Sequence, residues 1–168
     1  MPQLNPRAMR PVLLLLKILI VLNIAALAVM LLVLVGSFTE PVASAIARQH
    51  SPETAARMLL AVRAALLIGV LTIPFAHMLL TRLRAIVQTV GAGDPFVPDN
   101  ARLLKTIAWC LLAIQLLDLG FGAVALAVEP NFGWTFSLTG WLAIVLLFVL
   151  ARVFEHGTLM REELAGTV

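Results

Sequence analysis

The sequence predicts an all-α, polytopic membrane protein: a four-transmembrane-helix bundle with both termini in the cytoplasm. Of its 168 residues, 61% are hydrophobic and only 12% are charged, and the apolar residues fall into long runs. Soluble domains contain roughly 45–50% apolar and about 25% charged residues. A soluble chain of this composition would lack the polar side chains needed to cover its core. We therefore expect a single membrane domain over residues 1–168.

Each of four apolar runs is long enough to cross a bilayer, whose hydrocarbon core of about 30 Å needs about 20 helical residues. Ser51, Pro52 and Glu53 form a typical helix start before the second run, with a hydroxyl cap, a proline in the first turn and a carboxylate near the positive end of the helix dipole. Pro74 lies inside that run and predicts a kink. The predicted spans are residues 12–35, 58–80, 106–128 and 136–154.

The basic residues set the predicted orientation. Loops on the cytoplasmic side of a membrane protein carry an excess of Lys and Arg. The loop of residues 81–105 and the tail of residues 155–168 are therefore expected in the cytoplasm, and a short amphipathic helix is expected around Val42–Gln49 on the outer side. The inner side carries Arg7, Arg10, Lys17, Arg82, Arg84, Arg102, Lys105, Arg152 and Arg161, against Arg48, Arg57 and Arg63 on the outer side.

Asp118 lies near the middle of the third span. An ionised side chain at that depth costs about 2.5–3.5 kcal/mol on insertion scales and usually faces a partner or a cavity. Asn23 lies at a similar depth, and the long side chain of Arg63 can reach inward. Two interpretations remain open, a clamp between helices and a path for protons or ions. The predicted intramembrane polar cluster consists of Asn23, Arg63, Gln115 and Asp118.

Two distinctive segments lie on the predicted cytoplasmic side. Gly93-Asp94-Pro95-Phe96 has the composition of a turn, since glycine permits unusual backbone dihedrals and proline fixes one. The tail continues the fourth span out of the membrane through Arg152, Glu155, His156 and Gly157. The segments form either an ordinary connection between spans or one docking surface that presents Phe96. The residues of this predicted partner surface are Gly93, Asp94, Pro95, Phe96, Asn100, Arg102, Arg152, Glu155, His156 and Gly157.

The sequence contains no pattern typical of an enzyme. Glu155-His156 lacks the HExxH spacing of a zinc site, and no Ser or Cys has a His and an acid at a recognised spacing. The lone Cys110 can form no disulfide within the chain, and Gly91-Ala92-Gly93 is not followed by the GK[ST] of a phosphate loop. We therefore expect no catalytic residues, no metal and no cofactor. The scattered basic residues also predict no direct contact with nucleic acid.

Two segments resemble signatures of a known family. Gly93-Asp94-Pro95-Phe96, followed by Asp99-Asn100-Ala101-Arg102, is similar to the central signature of an uncharacterised family of small bacterial integral membrane proteins with four helices. Arg152-Val153-Phe154-Glu155-His156-Gly157 is similar to the same family's C-terminal signature. Its members are often encoded beside a Cro/C1-type helix-turn-helix regulator. The resemblance implies a multi-pass protein of the bacterial cytoplasmic (inner) membrane, with that regulator as a candidate partner, and supplies no catalytic residues.

We therefore expect a non-enzymatic membrane protein, a sensor or anchor that binds a cytoplasmic partner such as a small transcription regulator. The alternative is a small transporter or ion-coupled protein that uses the polar cluster around Asp118. The remaining expected partners are the lipid bilayer and a second copy of the chain. Two pairs of small residues, Ala65/Gly69 and Ala123/Ala127, have the spacing that lets helices approach closely in a membrane.

Overall fold

A computed structural model of the chain describes four long α-helices and confirms the predicted all-α fold class. Each helix contains a segment long and apolar enough to cross a membrane, and the described residues contain no strand. The helices are α1 (Pro6–Gly36), α2 (Pro52–Gly91), α3 (Pro98–Val128) and α4 (Leu138–Ala165). The described residues are 6–41, 44, 48, 51–93, 97–128 and 133–165, without the side chains of 6–8 and 161–165.

The helices continue past the predicted spans. Helix α2 has 40 residues, which at about 1.5 Å per residue gives about 60 Å, twice the thickness of the hydrocarbon core. Most of the segment 81–105, predicted as a loop, is helical, because α2 runs to Gly91 and α3 begins at Pro98. The chain turns at Gly93, whose φ of 93° is a conformation that glycine adopts readily. The predicted helix around Val42–Gln49 lies mostly outside the described residues.

The start of α2 is capped as its sequence predicts. The Ser51 side chain accepts a hydrogen bond from the backbone N–H of Thr54 at 3.5 Å, and Pro52 occupies the first turn. Glu53 forms an ion pair with Arg57 one turn later, at 2.8 Å on the exposed surface. The Ser51 oxygen thus satisfies one of the backbone N–H groups that a helix start leaves without a partner, and Pro52 has no N–H to satisfy. Pro74 lies inside the helix, where the sequence places it.

Extensive contacts in the described part of the chain join each helix to its neighbour in sequence: α1 to α2, α2 to α3, and α3 to α4. The helices run alternately up and down, so α1 begins and α4 ends at the same end of the molecule. We call this the basic end, because Arg82, Arg84, Arg102, Lys105 and Arg152 lie there. The other end, where α1 finishes and α4 begins, is called the opposite end.

Helix α1 packs on α2 through one stripe of residues. Gly69 of α2 lies against the side chain of Met30, and Gly91 lies against Met9. The alternating spacing of four and three residues is that of a coiled-coil seam, while most of the other side chains of α1 are exposed and suited to lipid. The stripe consists of Met9, Leu13, Leu16, Ile20, Asn23, Leu27, Met30, Leu34 and Ser37, which are half-buried or buried.

Helices α3 and α4 each carry a stripe of buried residues spaced seven apart, several of which are small. Gly122 lies directly against the indole of Trp134, and Gly140 lies against the Gln115 side chain. Small side chains at such positions allow two helices to pack closely within a membrane. By contrast, Ala123 and Ala127 are exposed. The buried stripe on α3 consists of Ala101, Ala108, Gln115 and Gly122, and that on α4 of Ile144, Ala151 and Thr158.

Candidate functional site

Arg63 ties α2 to the end of α1 at the opposite end of the molecule. Its Nη2 donates a hydrogen bond to the carbonyl oxygen of Ser37 at 2.8 Å. The guanidinium carbon also lies 4.2 Å from the ring centroid of Phe38, within the range of a cation–π contact. The Nε of Arg63 is buried and has no hydrogen-bond partner among the described residues. The side chain thus turns toward the helix end and away from the middle of the membrane.

Asn23 lies in the α1–α2 seam at a different level. It is 14 residues before Ser37, a separation of about 21 Å along α1 at about 1.5 Å per residue. Its Oδ1 is buried and has no donor among the described residues. The packing of Met30 on Gly69 and of Met9 on Gly91 sets the register, and places Asn23 opposite the turn of α2 that contains His77. The structure therefore does not bring Asn23 and Arg63 together.

Gln115 and Asp118 lie about one turn apart on α3, and Gln115 faces the start of α4. Gln115 is buried, and its Nε2 donates a hydrogen bond to the carbonyl oxygen of Ser137 at 3.3 Å. Asp118 is half-buried and makes no hydrogen bond or ion pair with any described residue. In the described part of the chain, no such bond joins any two members of the predicted polar cluster. Asn23 and Arg63 lie between α1 and α2, whereas Gln115 bonds to Ser137 at the start of α4.

Two tryptophans pack beside this part of α3. The indole of Trp134 covers Gly122, and Trp141 stacks on Phe136 with ring centroids 6.1 Å apart. The Nε1 atoms of both tryptophans are buried and find no acceptor among the described residues. The region near the opposite end of α3 and α4 therefore contains two buried indole N–H donors that have no acceptor in the described part of the chain.

Asn100, predicted to belong to the partner surface, is fully buried with 0% of its surface exposed. Its Oδ1 accepts a hydrogen bond from the Thr89 hydroxyl at 2.9 Å, and that hydroxyl also lies 2.8 Å from the carbonyl oxygen of Ile86. A side chain with no exposed surface has nothing to offer a partner. Asn100 instead joins the last turns of α2 to the first turn of α3.

Arg102, Arg152 and Glu155 come together although about 50 residues separate the first from the others. They line a cleft between the start of α3 and the end of α4, which we call the basic cleft. It consists of two adjoining cavities of about 400 and 340 Å³ that share Lys105, Ala151 and Glu155. The buried Thr158 also lines it. Lys105 and Thr158 are absent from the partner surface predicted from sequence.

Positive charge dominates the basic cleft. Arg102, Lys105 and Arg152 line it together with one carboxylate, that of Glu155, which lies 3.3 Å from Arg152. The side chain of Lys105 makes no ion pair with any described residue. The first turn of α3 also contributes to the wall, and a helix start carries the positive end of the helix dipole.

The other described residues of the predicted partner surface do not line this cleft. Gly93 is exposed at the turn, while Asp94, Pro95 and Phe96 lie outside the described residues. His156 is exposed on α4, with its Nδ1 3.3 Å from the carbonyl oxygen of Arg152, and Gly157 is half-buried. Among the described residues, no group of three His, Cys, Asp or Glu side chains is placed to hold a metal ion.

Four apolar helices, a basic end and polar contacts confined to individual helix pairs define a multi-pass membrane protein. Residues 41–168, which include α2, α3 and α4, match the model of a family described as a protein of unknown function, DUF2975, and the chain belongs to this family. This match confirms the resemblance to an uncharacterised family. No curated protein and no solved structure matches the chain.

Proposed function

We propose that this protein is a non-enzymatic sensor or anchor in the bacterial cytoplasmic membrane that binds a cytoplasmic partner, such as a small helix-turn-helix transcription regulator. The observation that carries the proposal is the meeting of two distant segments at the basic end, where Arg102 of α3 and Glu155 of α4 line one cleft. A surface built from two segments presents more area to a protein than either segment alone.

The charge distribution supports an orientation with the basic end in the cytoplasm. Arg82, Lys105 and Arg152 lie at that end, where α1 begins and α4 ends. Lys and Arg in short segments close to membrane spans orient a protein with those segments inside. With this orientation, both helix ends that line the basic cleft face the compartment in which a transcription regulator works.

The length of the helices supports a surface that reaches into water. The part of α2 after residue 80 runs 11 residues to Gly91, about 16 Å at about 1.5 Å per residue. Gln88 near its end and His156 on α4 are exposed. Helical surface beyond the headgroups is accessible to a soluble protein, whereas the apolar sides of the spans are covered by lipid.

Photo-crosslinking in living cells tests this proposal. A photoreactive amino acid at His156 is expected to capture a soluble cytoplasmic protein. The same amino acid at Arg57, an exposed position of α2 near the opposite end, serves as the matched control and is expected to capture none. Because Phe96 belongs to the motif of the family resemblance, Phe96→Ala is expected to reduce the capture. Equal labelling from both positions, or no protein captured at His156, would contradict the proposal.

Our second proposal is an ion-coupled transport activity that depends on Asp118. The supporting observation is that Asp118, half-buried in α3, has no hydrogen bond or ion pair with a described residue. Ionisable groups inside membrane spans commonly mark ion or proton paths. A carrier of four helices would require a second copy, and the exposed Ala123 and Ala127, one turn apart, offer a close helix contact.

Ion flux into proteoliposomes separates this second proposal from the first. Asp118→Asn is expected to abolish a proton or cation flux that the wild-type protein supports. Asp99→Asn changes an exposed carboxylate at the start of the same helix and is expected to leave the flux unchanged. A wild-type protein that moves neither protons nor monovalent cations would remove the support for transport and leave the partner-binding proposal unaffected.

A further inference from the structure

We propose that the basic cleft between α3 and α4 is a binding site for the phosphate group of an anionic phospholipid, with phosphatidylglycerol as the type of ligand. This inference goes beyond the proposed function and does not depend on a protein partner. A headgroup in the cleft would engage Arg102, Lys105 and Arg152, and would leave the turn at Gly93 and the exposed His156 free for a protein.

The size of the cleft suits a headgroup. Its larger cavity has a volume of about 400 Å³, within the range of about 300–1,000 Å³ found for small-molecule sites. Ala101 and Ala151 line it from the two helices, and their short side chains leave the space open. Thr158 is buried at the wall and donates its hydroxyl proton to the carbonyl oxygen of Glu155 at 2.8 Å. Its oxygen is therefore held in place by its own helix.

The charge of the cleft selects an anion. Three cationic side chains line it against the one lining carboxylate of Glu155; Arg102 also lies 3.9 Å from the exposed Asp99, whereas Lys105 has no ion-pair partner among the described residues. The guanidinium groups of Arg102 and Arg152 suit the oxygens of a phosphate, to which arginine can donate two parallel hydrogen bonds. The start of α3 at Pro98 lines the cleft, and the positive end of the helix dipole there adds to the preference for negative charge.

The depth of the cleft favours a lipid over a soluble phosphate compound. Lys105 immediately precedes the third predicted span, and Arg152 lies near the end of the fourth. One turn after Lys105, in the direction of the membrane, the ring of Trp109 packs edge-on against that of Phe148 with centroids 5.5 Å apart, and 57% of Trp109 is exposed. Tryptophan concentrates at the level of the headgroups. A phosphate in this cleft would therefore lie where anionic lipids present theirs, and acyl chains would run along α3 and α4.

Basic pockets between membrane helices on the cytoplasmic side are known to bind anionic headgroups. Arg82, another cation at this end, is exposed on α2 and lines neither cavity of the cleft. Arg82 therefore provides a matched control, with the same charge at a similar depth but outside the cleft. Glu155→Gln provides a variant with the opposite expected effect on lipid affinity, because removing the carboxylate charge makes the cleft more basic.

The test uses the purified full-length chain in nanodiscs, with retained lipids counted by native mass spectrometry. The wild-type protein is expected to retain phosphatidylglycerol in preference to phosphatidylcholine. Lys105→Gln and Arg102→Gln are each expected to lower the relative affinity about fivefold, whereas Arg82→Gln leaves it unchanged. Glu155→Gln is expected to raise it. This increase cannot result from misfolding, so the proposal remains falsifiable if a cation variant folds poorly.

A second arm adds millimolar inorganic phosphate to the protein in phosphatidylcholine nanodiscs and follows its binding by phosphorus NMR. Binding that Lys105→Gln removes, without preferential retention of phosphatidylglycerol, would overturn the lipid assignment in favour of a soluble phosphate ligand. Equal retention of the two lipids with no binding of phosphate would overturn the site altogether. Both arms use purified protein without a partner, so their outcome is independent of the crosslinking result.

Discussion

The contact between Gly122 and Trp134 makes a stringent prediction about how α3 packs on the chain leading into α4. A Cβ atom built at Gly122 would lie 2.5 Å from Cδ2 and 2.8 Å from Cζ2 of Trp134. Carbon atoms in contact prefer about 3.5–4.0 Å, and an indole ring has no flexible end that can move aside. Gly122→Ala therefore forces either the ring or the helix to shift.

Gly120, in the same helix, is the matched control, because a Cβ atom there would meet nothing within 4 Å. Replacing glycine by alanine inside a helix gains about 1 kcal/mol in helix propensity, and this gain is common to Gly120→Ala and Gly122→Ala. The difference between the two variants isolates the steric cost. For overpacking of this kind, that cost is about 1–3 kcal/mol. We expect Gly122→Ala to be less stable than Gly120→Ala by that amount.

Reversible unfolding in mixed micelles, followed by circular dichroism, measures the two free energies of unfolding. A third variant that combines Gly122→Ala with Trp134→Ala tests the cause, since removing the ring should cancel the steric cost and produce a coupling between the two sites. If Gly122→Ala and Gly120→Ala differ by less than about 0.5 kcal/mol, the packing of Trp134 on α3 described above is refuted.

Two further predictions concern buried polar contacts. Asn100→Ala removes one of two acceptors of the Thr89 hydroxyl, which keeps the carbonyl oxygen of Ile86, so the same unfolding assay is expected to show a loss of about 0.5–1.5 kcal/mol. Thr89→Val should cost less when Asn100 is already replaced, and additive effects of the two substitutions would contradict the pairing. Arg63→Gln removes the charged donor to Ser37 and is expected to cost about 1–3 kcal/mol, whereas Arg57→Gln, which breaks an exposed ion pair, should leave the stability unchanged within error.

The number and approximate position of the spans could be predicted from sequence because lipid imposes a simple requirement. A crossing helix needs about 20 apolar residues, and this chain has four such runs with polar segments between them. The start of α2 was also predictable, because Ser51 and Pro52 form a local capping pattern. Such signals lie in consecutive residues and need no knowledge of the partner helices.

The helical extensions at the basic end could not be predicted in this way. Hydropathy identifies the part of a helix that lies in lipid, but it does not predict whether the helix continues into water. Residues 81–90 include arginine, glutamine and threonine, and these polar residues predict a loop on a hydropathy scale. The segment nevertheless contains no glycine or proline that would end α2 before Gly91. The absence of a helix breaker was the relevant signal, and charge content obscured it.

The contacts of the intramembrane polar residues could not be predicted from the sequence either. Depth along a span places Asn23 and Asp118 at one level, but contacts depend also on which side of each helix faces which neighbour. A helix that is apolar on all sides gives no indication of its buried side. The signal that does exist is the separation of seven and then fourteen residues between Ala101, Ala108 and Gly122, small residues that share one buried side of α3.

Two buried polar residues fix the position of α3 between its neighbours, and the basic cleft depends on both. Asn100 bonds to α2 near the basic end, and Gln115 bonds to the start of α4 through Ser137. Apolar seams alone tolerate a slip of one turn, about 5.4 Å, whereas such a slip here would leave two buried polar groups without partners. The same slip would carry Lys105 one turn away from Glu155. The polar contacts inside the protein therefore determine which charges meet at its surface.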